Sequence, residues 1–338
     1  MGSSDGTENR QITVVIPNYN GIKYLDACMK SLLRQTMLPE IIIVDNGSSD
    51  GSVAYLKKNY RDGQLLPDGR RLSFQLIELN ENTGFCHAVN VGIKTADTEF
   101  VFLLNNDTIA DEHAAEALYH TMNRYGNAFS VAAKMLSMRE GHPIDDCGDY
   151  YCALGWAFTP GKDHDSDAYS RKVYITAACG GAAMYRKKYF ETVGFFDEAH
   201  FCYLEDIDIG YRARIYGYDN IYDPEAIVYH AGSASSGSRY NEFKQRLTAA
   251  NNLYLIYKNF TAVQIILNLP LIILGIVIKA VYFSKKNLGR AYAEGLREGI
   301  GRIIRYHDRK VPFKAAHISA YIRLQIELWV NCIRRITG

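Results

Sequence analysis

Short apolar runs alternate with amphipathic stretches through the first half of the chain. Ile12–Ile16, rich in β-branched residues and ended by Pro17, reads as a strand. Ile22, Leu25, Met29 and Leu32–Leu33 then recur at helical spacing. Ile41–Val44, Phe74–Leu79 and Phe100–Leu104 repeat the strand pattern. Helices are predicted through Val53–Tyr60 and Ala88–Lys94, with a Gly- and Pro-marked loop around Gly63–Gly69. Strands separated by helices of this length pair in parallel through crossovers. The pattern therefore predicts an α/β fold built on a nucleotide-binding sheet. No Gly-x-Gly-x-x-Gly follows the first strand, which disfavours an NAD-type domain.

Beyond residue 136 the signals are sparser. Ser137–Ser170 is rich in Asp, Gly and His with weak periodicity, and reads as a long surface segment carrying substrate contacts. Ala182–Tyr185 and Ala226–Tyr229 restart strand character, the second ending at His230, with the acidic stretch Leu204–Gly210 between them. A helix from Glu242 to Lys258 closes the body. Ala262–Phe283 is then apolar except at Gln264, Asn268, Pro270 and Lys279, and is close to the ~20 residues of a membrane span. Those breaks, and the basic amphipathic stretch Lys285–Lys310 behind them, favour a helix or helical hairpin lying in one leaflet over a full crossing. The alternative is a buried helix of the body, which the charge excess just after the run argues against.

Composition sharpens this division. A chain of 338 residues suits one large domain with an appendage. Residues 1–11 are polar, tag-like and expected to be disordered, with no apolar stretch for a signal peptide. Residues 12–258 form the α/β domain and 259–338 the helical membrane-association region. From Lys279 onward there are 13 Lys and Arg against 4 Asp and Glu, so a tail of +9 follows a body of −8. That asymmetry calls for an anionic surface. Aromatic residues among the basic ones are few, so lipid is expected and nucleic acid is not. The seven cysteines are scattered without a Cys-x-x-Cys pair, as in a reducing compartment.

The candidate chemistry gathers where strands end. Asn105-Asn106-Asp107 directly follows the Phe100–Leu104 strand and would reach the crevice at the carboxyl end of the sheet. An acid there can hold a hard cation, and the cation a diphosphate; Asp is also a preferred helix cap. Asp45, behind the second strand, could accept the imide N–H of a pyrimidine, or serve an ordinary turn with Asn46-Gly47-Ser48-Ser49.

Five clusters stand in order: Ile16-Pro17-Asn18-Tyr19-Asn20, Val44 through Gly51, Asn80-Glu81-Asn82-Thr83-Gly84, Leu104-Asn105-Asn106-Asp107 and Tyr203-Leu204-Glu205-Asp206-Ile207-Asp208. His230-Ala231-Gly232 lies downstream. Together they resemble the family 2 glycosyltransferases of the GT-A fold, nearest the bacterial rhamnosyltransferase-like branch acting on lipid-linked saccharides. The resemblance covers about Ile12 to Ser236, and Gly289–Arg302 echoes the family's Gly-rich basic helices more loosely.

The resemblance implies a mixed, mainly parallel sheet flanked by helices. Pro17, Asn18, Tyr19, Asn20, Asp45, Asn82, Gly84 and Asn90, with Asn105 and Asn106, would line the nucleotide-sugar pocket. Asp107 and His230 would hold Mg²⁺ or Mn²⁺. Asn105 departs from the family's usual Asp-x-Asp and leaves Asp107 as the one acidic ligand. Asp206 would be the base that takes the acceptor proton, with Gly180, Gly181 and Glu205 on the acceptor side. Asp208 could cap its helix, and Glu205 could pair with Arg212 or Arg214.

The implied activity is inverting transfer of a sugar, rhamnose among the candidates, from a UDP- or dTDP-sugar. The acceptor would be a polyprenyl-diphosphate-linked saccharide in surface polysaccharide synthesis of the O-antigen kind. The enzyme would sit peripherally or monotopically on the cytoplasmic face of the inner membrane, with self-association into a homo-oligomer open. Two alternatives stay open. A sugar nucleotidyltransferase is disfavoured because Pro17–Gly21 offers no arginine. A catalytically degenerate scaffold finds its best argument in Asn105.

Overall fold

The computed structural model describes residues 10–232 and 241–337. Residues 1–9, most of the tag-like start, and residues 233–240 and 338 lie outside the described residues. The first half follows the pattern: β1 (Ile12–Asn18), α1 (Ile22–Leu33), β2 (Glu40–Asn46), α2 (Ser52–Asn59), β3 (Phe74–Leu79), α3 (Phe85–Thr95) and β4 (Phe100–Leu104). All four strands pair in parallel, β4 on β1, β1 on β2 and β2 on β3. Period-two alternation sends Val14 and Ile16 to one face with Leu25 and Met29 of α1. Val15 goes to the other face with Val89 and Ile93 of α3.

The sequence pattern offers no element between Asp107 and Ser137, yet β5 (Thr108–Ala110), α4 (Ala114–Arg124) and β6 (Ala128–Ser137) fill it. The long segment read as surface is exposed toward its two ends, but its middle, 144–155, is mostly interior. It holds the short strands β7 (Ile144–Asp146), β8 (Tyr150–Cys152) and β9 (Trp156–Phe158). Ile144, Cys147, Tyr151 and Cys152 are buried there. Its Asp, Gly and His residues give it a surface-like composition because several of them are polar groups facing a cleft.

Then come β10 (Val173–Ile175), β11 (Ala182–Arg186), the single turn α5 (Phe190–Val193), α6 (Glu205–Ile215) and β12 (Asp219–His230). The sheet runs β10-β12-β6-β11-β4-β1-β2-β3, with β5 on β12 and β7 on β6. β11 is antiparallel to both neighbours, so the sheet is mixed and mainly parallel.

Four helices complete the chain: α7 (Glu242–Asn259), α8 (Ala262–Lys285), α9 (Gly289–Arg305) and α10 (Ile318–Thr337). Helices α7, α8 and α10 share an apolar cluster with the body, in which Tyr151, Ala177, Ile207 and Tyr211 meet Leu255, Ile272, Leu324 and Leu328, while α9 packs on α7 and α8 through Tyr292. Helix α8 is the one described helix long and apolar enough to cross a membrane. It touches the body near its start and middle, and α9 at its end. Gln264 bonds the Tyr211 hydroxyl near its start at 3.1 Å. A Cβ on Gly275 would stand 2.0 Å from the Leu154 carbonyl oxygen at its middle, and Phe283 packs on Tyr292 at its end. Asn268 is fastened to Gln325 and Trp329 of α10 by hydrogen bonds of 2.9–3.0 Å. Its opposite face, with Ile266, Ile273 and Val277, is exposed, and so is a stripe of Ile318, Ile322, Ile326, Trp329 and Ile333 on α10.

Candidate active site

Strands β1, β2 and β4 end along one edge of the sheet, the usual ligand crevice of an open α/β fold. Asn18 fastens the three ends. Its Nδ2 donates to Asp45 Oδ2 at 2.7 Å and to Ser48 Oγ at 3.2 Å, and its Oδ1 accepts from Asn106 Nδ2 at 2.6 Å. Asp45 also accepts from the Ser48 amide at 2.9 Å. Asn20 reinforces the turn by accepting from the Ser49 amide at 2.8 Å. Asp45 is 1% exposed, so a base would meet only the lone pairs its own turn leaves over. Tyr19, 45% exposed, and the partly buried Pro17 present the rim.

Beside this edge, Asn46 is a hub that sequence reasoning did not single out. Its Nδ2 donates to Asn82 Oδ1 and to the Gly84 carbonyl, each at 3.1 Å, and its Oδ1 accepts from the Thr83 amide at 3.0 Å. Gly84, at φ +91°, has no room for a side chain: a Cβ would lie 2.6 Å from Phe201 Cδ2. Asn90, expected in the donor pocket, sits elsewhere. Its Nδ2 donates to the Phe196 carbonyl at 2.8 Å and to Glu198 at 3.0 Å, and its Oδ1 accepts from the Phe196 amide at 3.1 Å. It lines a separate cavity of about 330 Å³ with Lys94, Asp197, Lys258 and Arg309. Its amide is engaged by the Phe196 backbone and by the Glu198 carboxylate.

Asp107 and His230 are brought together by strand pairing. β5 runs antiparallel to the end of β12, with His230 opposite Thr108. The Ala231 amide donates to the Asp107 carbonyl at 3.0 Å. His230 Nε2 then stands 3.4 Å from Asp107 Oδ1, while its Nδ1 meets Asp145 Oδ2 at 2.7 Å. Two ligands about 2.1 Å from one ion stand about 3–4 Å apart, so Asp107 and His230 fit a shared Mg²⁺ or Mn²⁺. Asp145 supplies the outer carboxylate that fixes a ligating imidazole. Burial opposes a charge on His230, but the hydrogen bonds from Asp107 and Asp145 outweigh it and push the ring up to about 9. A divalent cation replaces that proton on binding. Asn105 donates its amide to the Gly181 carbonyl at 2.9 Å, which ties this end of β4 to the acceptor side.

There, the Ile207 amide donates to Asp206 Oδ1 at 2.8 Å in the first turn of α6. Burial pushes Asp206 up to about 6, against the backbone amides of Ile207 and Gly180 that favour its charge. Glu205 does not pair with Arg212 or Arg214. Burial and the adjacent Asp206 raise it well above the usual carboxylate range, and its Oε2 has no partner among the described residues. Arg212 instead holds Asp208 at 2.7 Å, and Lys258 holds it at 3.0 Å, which makes Asp208 structural. Opposite lie Asp146, Asp149 and Cys179, with their ligating atoms within 4.8 Å of one another. Burial lifts Asp146 to about 7 and Asp149 well above its usual range, each raised further by Asp206.

The contacts close a ring. Asp107 meets His230, His230 meets Asp145, and Asp146 faces Asp206. Asp206 meets Gly180, and Gly181 meets Asn105, two residues from Asp107. This chain of contacts joins Asp107 to Asp206. Asp145, Asp146 and Asp149 escaped sequence reasoning, although buried apolar residues at Ile144, Cys147 and Tyr150 flank them and were the available signal.

Solved structures share this fold. GalNAc-T7 with UDP, GalNAc and Mn²⁺ aligns over 91% of this chain and 60% of its own at a TM-score of 0.60 and 15% identity. The mannosyltransferase PcManGT from Pyrobaculum calidifontis, in complex with GDP-Man and Mn²⁺, aligns over 97% and 87% at 0.54 and 14%. The fold is therefore of the GT-A glycosyltransferase type. The model of glycosyl transferase family 2 matches residues 13–194, more than half of the chain, and the chain belongs to that family. It is 26% identical over 248 residues to the N-acetylglucosaminyl-diphospho-decaprenol L-rhamnosyltransferase of Mycobacterium tuberculosis, covering 67% of this chain and 78% of the relative. It is 24% identical over 294 residues to a low-salt glycan biosynthesis hexosyltransferase of Haloferax volcanii, covering 81% and 86%. Asp206 and His230 lie beyond the residues the family model matches.

Proposed function

We propose that this glycosyltransferase moves a sugar, with inversion, from a UDP- or dTDP-sugar onto a polyprenyl-diphosphate-linked saccharide at a membrane surface. The observation that carries the reading is the ring of contacts that links Asp107, through His230, Asp145 and Asp146, to Asp206. The name of the mycobacterial relative supports the acceptor class and makes rhamnose the first sugar to try, and that of the Haloferax volcanii relative supports hexosyl transfer in glycan synthesis. Asp45, Tyr19 and the Asn18 network form the donor end, where Tyr19 offers a face for a base. Asp206 takes the proton of the acceptor hydroxyl as its oxygen bonds to the anomeric carbon; the bond from that carbon to the diphosphate breaks, and the nucleoside diphosphate leaves. Asp107 and His230 would hold the divalent cation, which when bound supplies charge that stabilises the departing diphosphate.

The exposed faces of α8 and α10 support monotopic docking in one leaflet. A helix fastened to the body at its start and middle, and to α9 at its end, is poorly placed to cross a bilayer, while its free face can enter the headgroup boundary. The domain division at residues 258 and 259 then separates two roles within one packed unit, since α8 and α10 share the body's apolar cluster and add the lipid-facing layer. Replacing Ile266, Ile273 and Val277 with Glu should release the protein from anionic vesicles, because each isoleucine or valine withdrawn from lipid forfeits about 1.5–3 kcal/mol. A triple variant that sediments with vesicles as the parent does removes the docking role.

The donor is tested by a melting-temperature panel of UDP, dTDP and GDP with and without Mn²⁺. A ligand that binds only the folded state raises the melting point. The reading expects a rise with UDP or dTDP that grows with Mn²⁺; a rise with GDP alone overturns the pyrimidine assignment.

A further inference from the structure

Helix α6 carries Asp206, and the backbone that leads into it is strained. Phe201 has φ +62° and ψ −64°, and the Cys202 amide donates to the His200 carbonyl at 2.7 Å. That is a γ-turn of the rare hand. Tyr203 at φ +69° and Leu204 at φ +63° are left-handed too, and none of the three is glycine. Such backbone persists only where its surroundings over-determine it.

The surroundings here come from the C-terminal helices. Asn251 of α7 is fully buried. Its Nδ2 donates to the carbonyls of His200 at 2.9 Å, Cys202 at 2.9 Å and Tyr203 at 2.7 Å. Its Oδ1 accepts from Arg302 of α9, whose Nη1 also donates to the Ala199 carbonyl at 2.7 Å. Gly295 and Gly299 lie on the same face of α9, two turns and one turn before Arg302. A Cβ would stand 2.2 Å from the Arg246 carbonyl oxygen at the first and 2.9 Å from the Ala250 carbonyl oxygen at the second. The two glycines let α9 close onto α7, and that closeness delivers the guanidinium to Asn251.

We propose that Arg302 and Asn251 are positioning residues for sugar transfer: together they clamp the Phe201–Leu204 turn and so aim Asp206 at the acceptor hydroxyl. Neither touches a reacting atom. The proposal rests on Asp206 being the base. It makes α9, beyond the residues the family model matches, part of what sets the rate.

The test compares Asn251→Ala, Arg302→Met and Arg302→Lys with the parent, with Asp206→Asn measured alongside, all as full chains. Displacing a base by about 1 Å can cost on the order of 100-fold in rate. The expected result is a kcat loss of that order for Asn251→Ala and Arg302→Met, with the donor KM within about twofold of the parent, the signature of an interaction needed in the transition state. Arg302→Lys should recover most of the loss, since an ammonium can still donate to both oxygens. Arg302→Met leaves the three Asn251 donations in place and so keeps the test alive should Asn251→Ala fail to fold. Parental kcat per folded molecule, or a loss carried by donor KM, overturns the proposal. Should Asp206→Asn be inactive while the clamp variants turn over normally, only the clamp fails; should Asp206→Asn turn over normally, the base assignment falls and the clamp with it.

Discussion

On the donor wall, Asn18, Asp45 and Asn106 bind three strand ends to one another through hydrogen bonds of 2.6–2.7 Å. On the acceptor wall, the residues before Asp206 hold positive φ angles, and Asp146, Asp149, Glu205 and Asp206 are all raised above the usual carboxylate range, chiefly by burial. The contrast follows from what each wall has to do. A nucleotide is held by shape and fixed dipoles, so satisfied, rigid groups serve it best. Proton transfer needs a carboxyl group whose affinity for the proton lies near the working pH. Only burial with few donors provides that, and burial of acids has to be imposed by the rest of the fold. The donor wall is therefore local in sequence terms, and the acceptor wall is held from afar.

The largest expected effect isolates the acceptor wall. Asp206→Asn removes the proton acceptor and should cut turnover by about 10²–10⁴-fold. Calorimetric titration should find UDP affinity on the donor wall within about twofold of the parent. A loss of UDP binding equal to the loss of turnover would erase the distinction between the walls. Asp145→Asn acts where the walls join. It keeps a group beside His230 Nδ1 but removes the carboxylate charge, and outer partners of this kind are worth about 10–100-fold in metal affinity. Mn²⁺ titration of UDP binding reads that change directly, and unchanged Mn²⁺ dependence would detach Asp145 and His230 from the cation.

The same contrast explains what was legible in the sequence. Strands β1 to β4 are runs of five to seven residues dominated by apolar side chains, and period and composition identify them. β6 is as buried as any of them but dilutes its pattern with Ser130, Ala132, Ala133 and Lys134. The Lys134 ammonium is accommodated by backbone carbonyls, that of Ala168 at 2.8 Å, which no pattern of apolar residues announces. Asp107, Asp206 and His230 stood out because each lies at an element end within a short cluster that resembles a family motif. Asp145, Asp146 and Asp149 did not, since their burial arises only when β7 packs on β6. Asn251 and Arg302 were invisible for a similar reason: what they hold lies about 50 and 100 residues away along the chain.

Gly84 is where the walls touch, and substituting it should disturb both. Alanine there would need φ +91° and would press on the Phe201 ring. A non-glycine residue held in such backbone costs about 1–3 kcal/mol. The expected outcome is a melting point several degrees lower, together with a reduced kcat in the fraction that stays folded, because Phe201 belongs to the turn that leads to Asp206. A lower melting point with parental kcat would show that the strained turn tolerates displacement.

The smallest effect is the most specific to the acceptor wall. Asp206 is raised to about 6, so above that pH it is a carboxylate able to accept a proton and below it an acid that cannot. Turnover should therefore fall as pH drops through about 6, by roughly tenfold for each further unit. An ordinary exposed carboxylate would place that limb near 4. Asp146, raised to about 7, titrates beside it, so the observed midpoint belongs to the pair and not to either residue alone. Replacing Asp146 with Asn removes one member and leaves a single titration; because Asp146 is still protonated when Asp206 ionises, the limb should stay within about half a unit of its parental position. A limb that stays near 4 in the parent would show that Asp206 is well hydrated in the working enzyme, and the acceptor wall would then differ from the donor wall in geometry alone.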